Sequence, residues 1–181
     1  KRGESQLFER FRLHGKTLWV QLIYDNQQFF NYLLSRKEID AASIATIGMS
    51  MGGLMSWWLA VVDPRVRVVV DIAAQVDYHA LIEENSLDKH GFYYYLPGLL
   101  SDWTTGEIQQ WIAPRPRLSL VGIADKGCPT SGVKTLDQHL QKVYQDMHCP
   151  AHWQSEQLIG GHEETEEMRS LWRRFLKKHL G

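Results

Sequence analysis

The 181-residue sequence has little of several features that would each place a protein in a particular class. It has only two cysteines, Cys128 and Cys149, which are too few for a disulfide framework and favour a reducing compartment such as the cytoplasm. No apolar stretch approaches the roughly 18 residues of a membrane span. The formal net charge is only -1, so neither nucleic acid nor an anionic membrane is expected as the main partner. Hydrophobic residues make up 44% of the chain, which is enough for one globular domain.

Short runs rich in Val and Ile alternate with stretches in which apolar residues recur at helical spacing. The predicted strands are Ile44–Ile47, Val66–Ala73, Leu118–Ile123 and Trp153–Ile159. The predicted helices are Trp19–Ser35, Leu54–Val62, Leu136–Met147 and Glu163–Leu180. Strands separated by helices imply right-handed crossovers, so we expect an α/β fold with a mostly parallel sheet and flanking helices.

The alternation lapses between Asp77 and Pro116. There the stretch HGFYYYLPGLL is followed by the helix-like TTGEIQQWIA. Long excursions of this kind are often lids or binding loops. We therefore expect a single domain over residues 1–181, with a lid-like insertion at about 77–116.

The six residues GMSMGG, 48–53, lie directly after a predicted strand and directly before a predicted helix. They contain the pattern G-x-S-x-G, in which a serine sits on a strained strand-to-helix turn with its hydroxyl exposed. We expect the turn to leave no room for side chains at Gly48 and Gly52. The N–H of Met51, at the start of the helix, would stabilise an oxyanion. The alternative is a tight loop with a chance serine at position 50.

A serine hydroxyl is a weak nucleophile until a base removes its proton and an acid orients that base. On this architecture the chain order is serine, acid, histidine, with each residue at the carboxyl end of a later strand. Asp125 follows LSLVGIA, and His162 follows WQSEQLIGG. The sequence therefore predicts a triad of Ser50, Asp125 and His162. Asp71 and Asp77 remain alternatives for the acid.

Other polar and aromatic motifs are assigned to packing or to the surface. The segment HCPAH, residues 148–152, is interpreted as a loop rather than a metal site, because no second ligand pair stands at a zinc-like spacing. Cys128 has no companion base in its motif and is assigned to packing. Trp57 and Trp58 are assigned mainly to the core, and Tyr93–Tyr95 suit a pocket or packing equally. The remaining histidines are assigned to the surface or to packing: His79, His90, His139, His148 and His179.

Several segments carry a resemblance to a known family. The chain resembles the α/β-hydrolase superfamily, within its dienelactone hydrolase and acetyl-xylan-esterase-like branch. The resemblance covers nearly the whole chain and is clearest in IATIGMSMGGLMSWWLAVVDPRVRVVVDIA, IAPRPRLSLVGIAD and GGHEE. It implies the same triad of Ser50, Asp125 and His162. It also implies a cofactor-free hydrolase of small-molecule esters, often small acyl or acetyl esters.

The sequence departs from that family at its amino terminus. The fold normally has more strands than the four predicted here, and no HGGG-like stretch precedes the serine. The chain begins KRGESQ, without an initiator Met or a signal-peptide pattern. We therefore expect the carboxyl-terminal portion of an α/β-hydrolase, without its N-terminal strands.

Two hypotheses of function follow. The first is a serine hydrolase that forms an acyl-enzyme on Ser50, with a peptidase acting on short peptides as the enzymatic alternative. The second is a catalytically weak fragment or interaction module. In both cases an uncovered sheet edge would favour a homo-oligomer or pairing with the missing N-terminal part.

Overall fold

The structure is a computed structural model that describes residues 2–181. Four strands form one parallel sheet in the order β1-β2-β3-β4. The strands are β1 (Ala45–Met49), β2 (Val68–Ile72), β3 (Arg117–Gly122) and β4 (Trp153–Leu158). The described residues also form eight α-helices: α1 (Arg2–Leu13), α2 (Leu18–Leu34), α3 (Met51–Val62), α4 (Tyr78–Glu83), α5 (Leu99–Asp102), α6 (Thr105–Gln109), α7 (Thr130–Asp146) and α8 (Glu166–Leu180). In this part of the chain no helix has the length and apolar character needed to cross a bilayer.

The predicted strands and the parallel sheet are confirmed, and the differences lie mainly in the helices. Helix α3 begins at Met51, three residues earlier than predicted, because the two glycines after the serine already belong to its first turn. Helix α7 begins at Thr130, directly after Pro129, and so extends further toward the amino terminus than its apolar periodicity indicated. Helix α1 was not predicted, since few of its residues are apolar.

The two faces of the sheet are covered by different helices. Along β2, Val68, Val70 and Ile72 pack with α8 residues such as Met168 on one face. Val69, which alternates with them, packs on the other face with α2, α3 and the segment after β2. Alternate residues of a strand point to opposite faces, so a continuous Val/Ile run is what a strand buried on both sides requires.

The segment between β2 and β3 packs against the body of the domain through α4 and α6. Helix α6 contacts α3 and α7, and α4 contacts α7. Within this segment Tyr94 and Ile112 are fully buried. Helix α6 begins with a capping box, in which Thr104 and Glu107 satisfy each other's backbone N–H groups.

A buried ion pair joins two strands of the sheet, and its arginine also bonds to this segment. The Arg117 guanidinium donates to Asp71 through Nε at 2.8 Å, and it also donates to Gln109 Oε1 at 2.8 Å. Its central carbon lies 5.9 Å from the Trp57 ring centroid and 5.2 Å from that of Trp153. The assignment of Trp57 and Trp58 to the core is confirmed, because their exposed fractions are 0% and 7%.

Strand β1 is an edge of the sheet formed by residues 2–181, with a partner on its β2 side. Ile47 on β1 is 43% exposed, and Phe29 on α2 is 61% exposed. Both residues line a groove of about 370 Å³ between α2 and the edge strand. The edge is therefore bordered by apolar surface.

Candidate active site

Ser50 occupies the sharp turn between β1 and α3. Its backbone angles are φ 56° and ψ −122°, which few residues other than glycine adopt. Two hydrogen bonds hold this conformation. The Ser50 N–H donates to the carbonyl of Ile72 on β2 at 2.8 Å, and its own carbonyl accepts from the Leu54 N–H at 2.9 Å. The strained turn that the G-x-S-x-G pattern indicates is present in the structure.

The glycines around Ser50 have different roles from those that the pattern suggests. A Cβ at Gly48 would lie 2.3 Å from the backbone carbon and oxygen of Gly52, so Gly48 admits no side chain. At Gly52 itself, however, an added Cβ would have no neighbour within 4 Å. The expectation of a crowded Gly52 was therefore wrong. The crowded second position is Gly53, where a Cβ would lie 2.6 Å from the Cβ of Ala74.

The structure brings the three predicted triad residues together. His162 Nε2 lies 2.8 Å from Ser50 Oγ, and His162 Nδ1 lies 2.8 Å from Asp125 Oδ2. A carboxylate only accepts, so Nδ1 carries the proton and Nε2 is free to accept the serine proton. Asp125 is 5% exposed, whereas the His162 side chain is 48% exposed. The Asp125 carboxylate is thus shielded, while the His162 ring reaches solvent.

Parallel strands deliver these residues to one edge of the sheet. Ser50 directly follows β1, Asp125 comes three residues after β3, and His162 comes four residues after β4. The carboxyl ends of parallel strands meet at the same edge, where α/β proteins place their sites. Two backbone bonds join the acid and base loops: Ile123 N–H to the Leu158 carbonyl, and Ala124 N–H to the Gly160 carbonyl, each 2.9 Å.

Met51 stands at the first position of α3, directly after Ser50. The N–H groups in the first turn of a helix lack intrahelical partners and form its positive end. The Met51 side chain is 47% exposed, and its sulfur accepts a hydrogen bond from the Tyr93 hydroxyl at 3.1 Å. The Met51 N–H therefore lies at the first position of α3, next to Ser50, and its role as an oxyanion donor stays a prediction.

The two alternative acids have other partners. Asp71 accepts from Arg117 and from the Ser119 hydroxyl, the latter at 2.7 Å. Asp77 accepts from the Ala80 N–H at 3.1 Å and caps α4. Neither bonds to His162, whose Nδ1 is taken by Asp125.

The other two candidate motifs are the Cys128 thiol and the HCPAH segment, and neither has the contacts of a reactive site. Cys128 is buried, and burial raises the pKa of its thiol well above the usual value. In HCPAH, His152 Nδ1 bonds to the Pro114 carbonyl at 2.7 Å. Across residues 2–181, the structure contains no group of three or more His, Cys, Asp or Glu side chains that could hold a metal ion.

Ser50 and His162 open onto a pocket of about 320 Å³. Lys89, His90 and Lys126 also line it. The assignment of His90 to the surface or to packing was therefore incomplete, because this histidine lies at the candidate site. No local sequence signal marks it, since the insertion brings it there only through its tertiary packing.

No protein-family model matches the chain. The "Putative hydrolase YtaP" of Bacillus subtilis (strain 168) is 44% identical over 179 residues, which are 99% of this chain and 60% of that relative. A glucuronoyl esterase from Solibacter usitatus superposes with a TM-score of 0.73 at 14% identity, over 88% of this chain and 48% of that one. Acetyl xylan esterase 1 from Thermoanaerobacterium sp. superposes with a TM-score of 0.62 at 20% identity, over 91% and 54% respectively.

The chain thus spans 60% of the length of its sequence relative and about half the length of the two esterases. The structural likeness to the glucuronoyl esterase covers 88% of this chain. The chain therefore shares the fold of these esterases over the part that it covers.

Proposed function

We propose that this chain carries the catalytic residues of a serine hydrolase that cleaves carboxylic esters through an acyl-enzyme on Ser50. The observation that carries the proposal is the unbroken pair of 2.8 Å contacts from Asp125 through His162 to Ser50. A hydroxyl, an imidazole and a buried carboxylate in this order form the arrangement that activates a serine nucleophile.

The reaction follows from these contacts. Ser50 Oγ attacks the ester carbonyl carbon, and its proton passes to His162 Nε2. Asp125 stabilises the resulting imidazolium, while the Met51 N–H faces the oxyanion of the tetrahedral intermediate. The intermediate collapses, and the departing alcohol takes the proton from His162. A water molecule then attacks the acyl-enzyme by the same steps, which releases the acid and restores Ser50.

The proposed substrates are small acyl or acetyl esters. The names of the two structural neighbours describe esterases, and the sequence relative is named a hydrolase. The pocket of about 320 Å³ at Ser50 has room for a small acyl group and part of an alcohol. The proposed scheme uses neither a metal nor an organic cofactor. We place the enzyme in the cytoplasm, a compartment that suits its two free cysteines.

We further propose that additional strands pair along the free edge of β1 in the active enzyme. They would cover the apolar surface around Ile47 and Phe29, which are 43% and 61% exposed. They would also bring the second oxyanion donor, because the nucleophile elbow supplies only the N–H of the residue after the serine. The proposed occupant of the edge is polypeptide that precedes Lys1, and a second copy of the chain is the competing outcome.

Labelling with a fluorophosphonate probe tests the nucleophile. We expect a single adduct, which mass spectrometry should place on Ser50. Ser50→Ala should abolish the adduct and leave the circular dichroism spectrum unchanged. Stable labelling of another serine, or equal labelling in the Ser50→Ala variant, would rule out the proposed mechanism.

A further inference from the structure

His90 makes a defined contact with the loop that carries the catalytic acid. It lies just after the single helical turn Leu87–Lys89 in the segment between β2 and β3. Its Nε2 is 2.7 Å from the backbone carbonyl of Gly127. A carbonyl only accepts hydrogen bonds, so Nε2 must carry a proton and donate. The ring is half-buried, and its centroid lies 5.6 Å from that of Tyr94.

Gly127 is also bonded directly to the acid. Its N–H donates to Asp125 Oδ1 at 2.8 Å, so the two polar groups of this glycine are held by the acid and by His90. The packing around it is close. A Cβ at Gly127 would lie 3.2 Å from Asp125 Oδ1 and 3.7 Å from His90 Nε2.

The bond from Gly127 decides which carboxylate oxygen faces the base. With Oδ1 occupied by Gly127, Oδ2 is left to accept from His162 Nδ1 at 2.8 Å. This contact sets the tautomer of His162 and so leaves Nε2 free for Ser50. A displacement of Gly127 would therefore shift the Asp125 carboxylate, and the shifted carboxylate would in turn change the orientation of the His162 ring.

We propose that His90 is a positioning residue, which fixes the acid loop through Gly127 and thereby orients Asp125 toward His162. The inference rests on the proposed serine hydrolase function and deepens it, because it assigns a role to a residue outside the triad. It also gives the insertion a part in assembling the site, since His90 hydrogen-bonds the loop that carries Asp125.

The charge state of His90 follows from its surroundings. Burial lowers the pKa of its imidazole, and the nearby His162 acts in the same direction, whereas the Gly127 carbonyl and Asp125 oppose the shift. Two further titratable groups, Lys89 and Lys126, line the same pocket, and the Tyr94 ring lies beside the imidazole at a tilt of 38°. Near neutral pH the ring is therefore uncharged and still donates from Nε2, so it orients the acid without adding its own positive charge to the pocket.

Three substitutions separate the hydrogen bond from the bulk of the ring. His90→Gln keeps an N–H donor at the same number of bonds from the backbone as Nε2 of the imidazole. In His90→Asn the amide nitrogen is one bond closer to the backbone. His90→Phe keeps a ring without a donor. His152→Phe is the matched control, because His152 also bonds a backbone carbonyl, that of Pro114 at 2.7 Å, but is not part of the site.

Nitrogen-15 NMR of the imidazoles and the rate of fluorophosphonate labelling provide two readouts. In His90→Phe and His90→Asn we expect His162 to lose its fixed Nδ1–H tautomer, and labelling of Ser50 to slow roughly three- to tenfold, as for the loss of one hydrogen bond. His90→Gln should restore both. His152→Phe should change neither.

The outcomes distinguish this inference from the proposed function. If Ser50 is labelled normally and all three His90 variants match the unsubstituted chain, the positioning role is wrong and the hydrolase mechanism stands. If Ser50 is not labelled at all, the mechanism fails, and the His162 tautomer still decides the role of His90. Should His90→Phe not fold, the Gln and Asn variants, which differ by one methylene, carry the comparison. Equal effects in those two would overturn the inference.

Discussion

The Arg117 guanidinium and the Asp71 carboxylate form an ion pair that is closed to solvent, with Nε 2.8 Å from Oδ2 and side-chain exposures of 1% and 0%. The Ser119 hydroxyl occupies the other oxygen of Asp71 at 2.7 Å. Each oxygen of this carboxylate therefore has a donor within the domain. Asp71 has a structural role, although its sequence position allowed it as the catalytic acid.

Removing one partner of this pair should destabilise the domain strongly. Asp71→Ala would leave the Arg117 charge buried without compensation, which typically costs about 3–5 kcal/mol. Urea unfolding followed by circular dichroism measures the loss. Asp71→Ala combined with Arg117→Met should recover much of it, because the double variant buries no charge. Asp146→Ala, which breaks the exposed pair with Lys142, is the control and should change little. A small effect of Asp71→Ala would contradict the structural role.

Asp125→Asn should lower reactivity at Ser50 without unfolding the domain. The amide can donate to His162 Nδ1 and so favours the wrong tautomer, in which Nε2 cannot accept the serine proton. In serine hydrolases such a change costs about 10⁴ in turnover. The rate of fluorophosphonate labelling measures the effect. Asp77→Asn serves as the comparison, because Asp77 caps α4 and should affect stability more than labelling. The assignment of the acid would fail if Asp77→Asn gave the larger loss of labelling.

The glycines of the turn should differ in how well they tolerate substitution by alanine. Gly48→Ala and Gly53→Ala would place a methyl group 2.3 Å from the Gly52 backbone and 2.6 Å from the Ala74 side chain, so both should lower the melting temperature and abolish labelling of Ser50. Gly52→Ala meets no neighbour within 4 Å and lies in the first turn of α3. It should keep labelling and stabilise the helix by up to about 1 kcal/mol. Equal damage from all three substitutions would contradict the described geometry.

His90 should make the domain more sensitive to acid. Burial holds the pKa of His90 below its ordinary value of 6.5, so the unfolded chain takes up a proton at this position before the folded chain does. Stability should therefore fall as the pH drops through 6.5 toward the lower folded pKa. His90→Gln should reduce that fall. Urea unfolding at about pH 7.5 and about pH 5.5 gives the comparison. His179→Gln is the control for the other histidine whose pKa burial lowers. An unchanged pH dependence in His90→Gln would show that His90 titrates as an exposed group.

The proposed strands along β1 predict a difference in activity. The loss of one oxyanion donor costs on the order of 10² to 10³ in rate. The 181-residue chain should accordingly turn over p-nitrophenyl acetate weakly, and a version extended at its amino terminus should be faster, with Ser50→Ala as the blank for each. Ile47→Lys in the short chain should reduce self-association in sedimentation experiments. Equal Ser50-dependent rates in both versions would mean that the oxyanion site is complete without further strands.

The sequence could predict that Ser50, Asp125 and His162 lie together because three local signals agree. The G-x-S-x-G pattern marks Ser50, and Asp125 and His162 each follow a predicted strand. Parallel topology brings the carboxyl ends of such strands to one edge of the sheet. Residues that follow different strands can therefore be expected to lie close together from the strand assignments alone. The structure places their side chains at hydrogen-bonding distance.

Other features depend on tertiary contacts that no local pattern encodes. Whether Gly52 or Gly53 is crowded depends on which of them faces Ala74 after α3 has packed on the sheet. The bond between His90 and Gly127 joins residues 37 positions apart and depends on the path of the insertion. Helix α1 has few apolar residues, and it packs against α2 and, through Phe8, against Phe92.

The order of the strands has a consequence for folding kinetics. His162 follows β4, which in the sheet of residues 2–181 pairs with β3 alone and is the last strand in sequence. In the proposed mechanism Ser50 is activated only when the pairing of β3 with β4 has formed, and we expect this non-local pairing to be slow. The return of Ser50 reactivity during refolding should therefore lag behind the return of helical circular dichroism. In a refolding experiment the rate at which Ser50 regains reactivity would thus report when the native topology is complete.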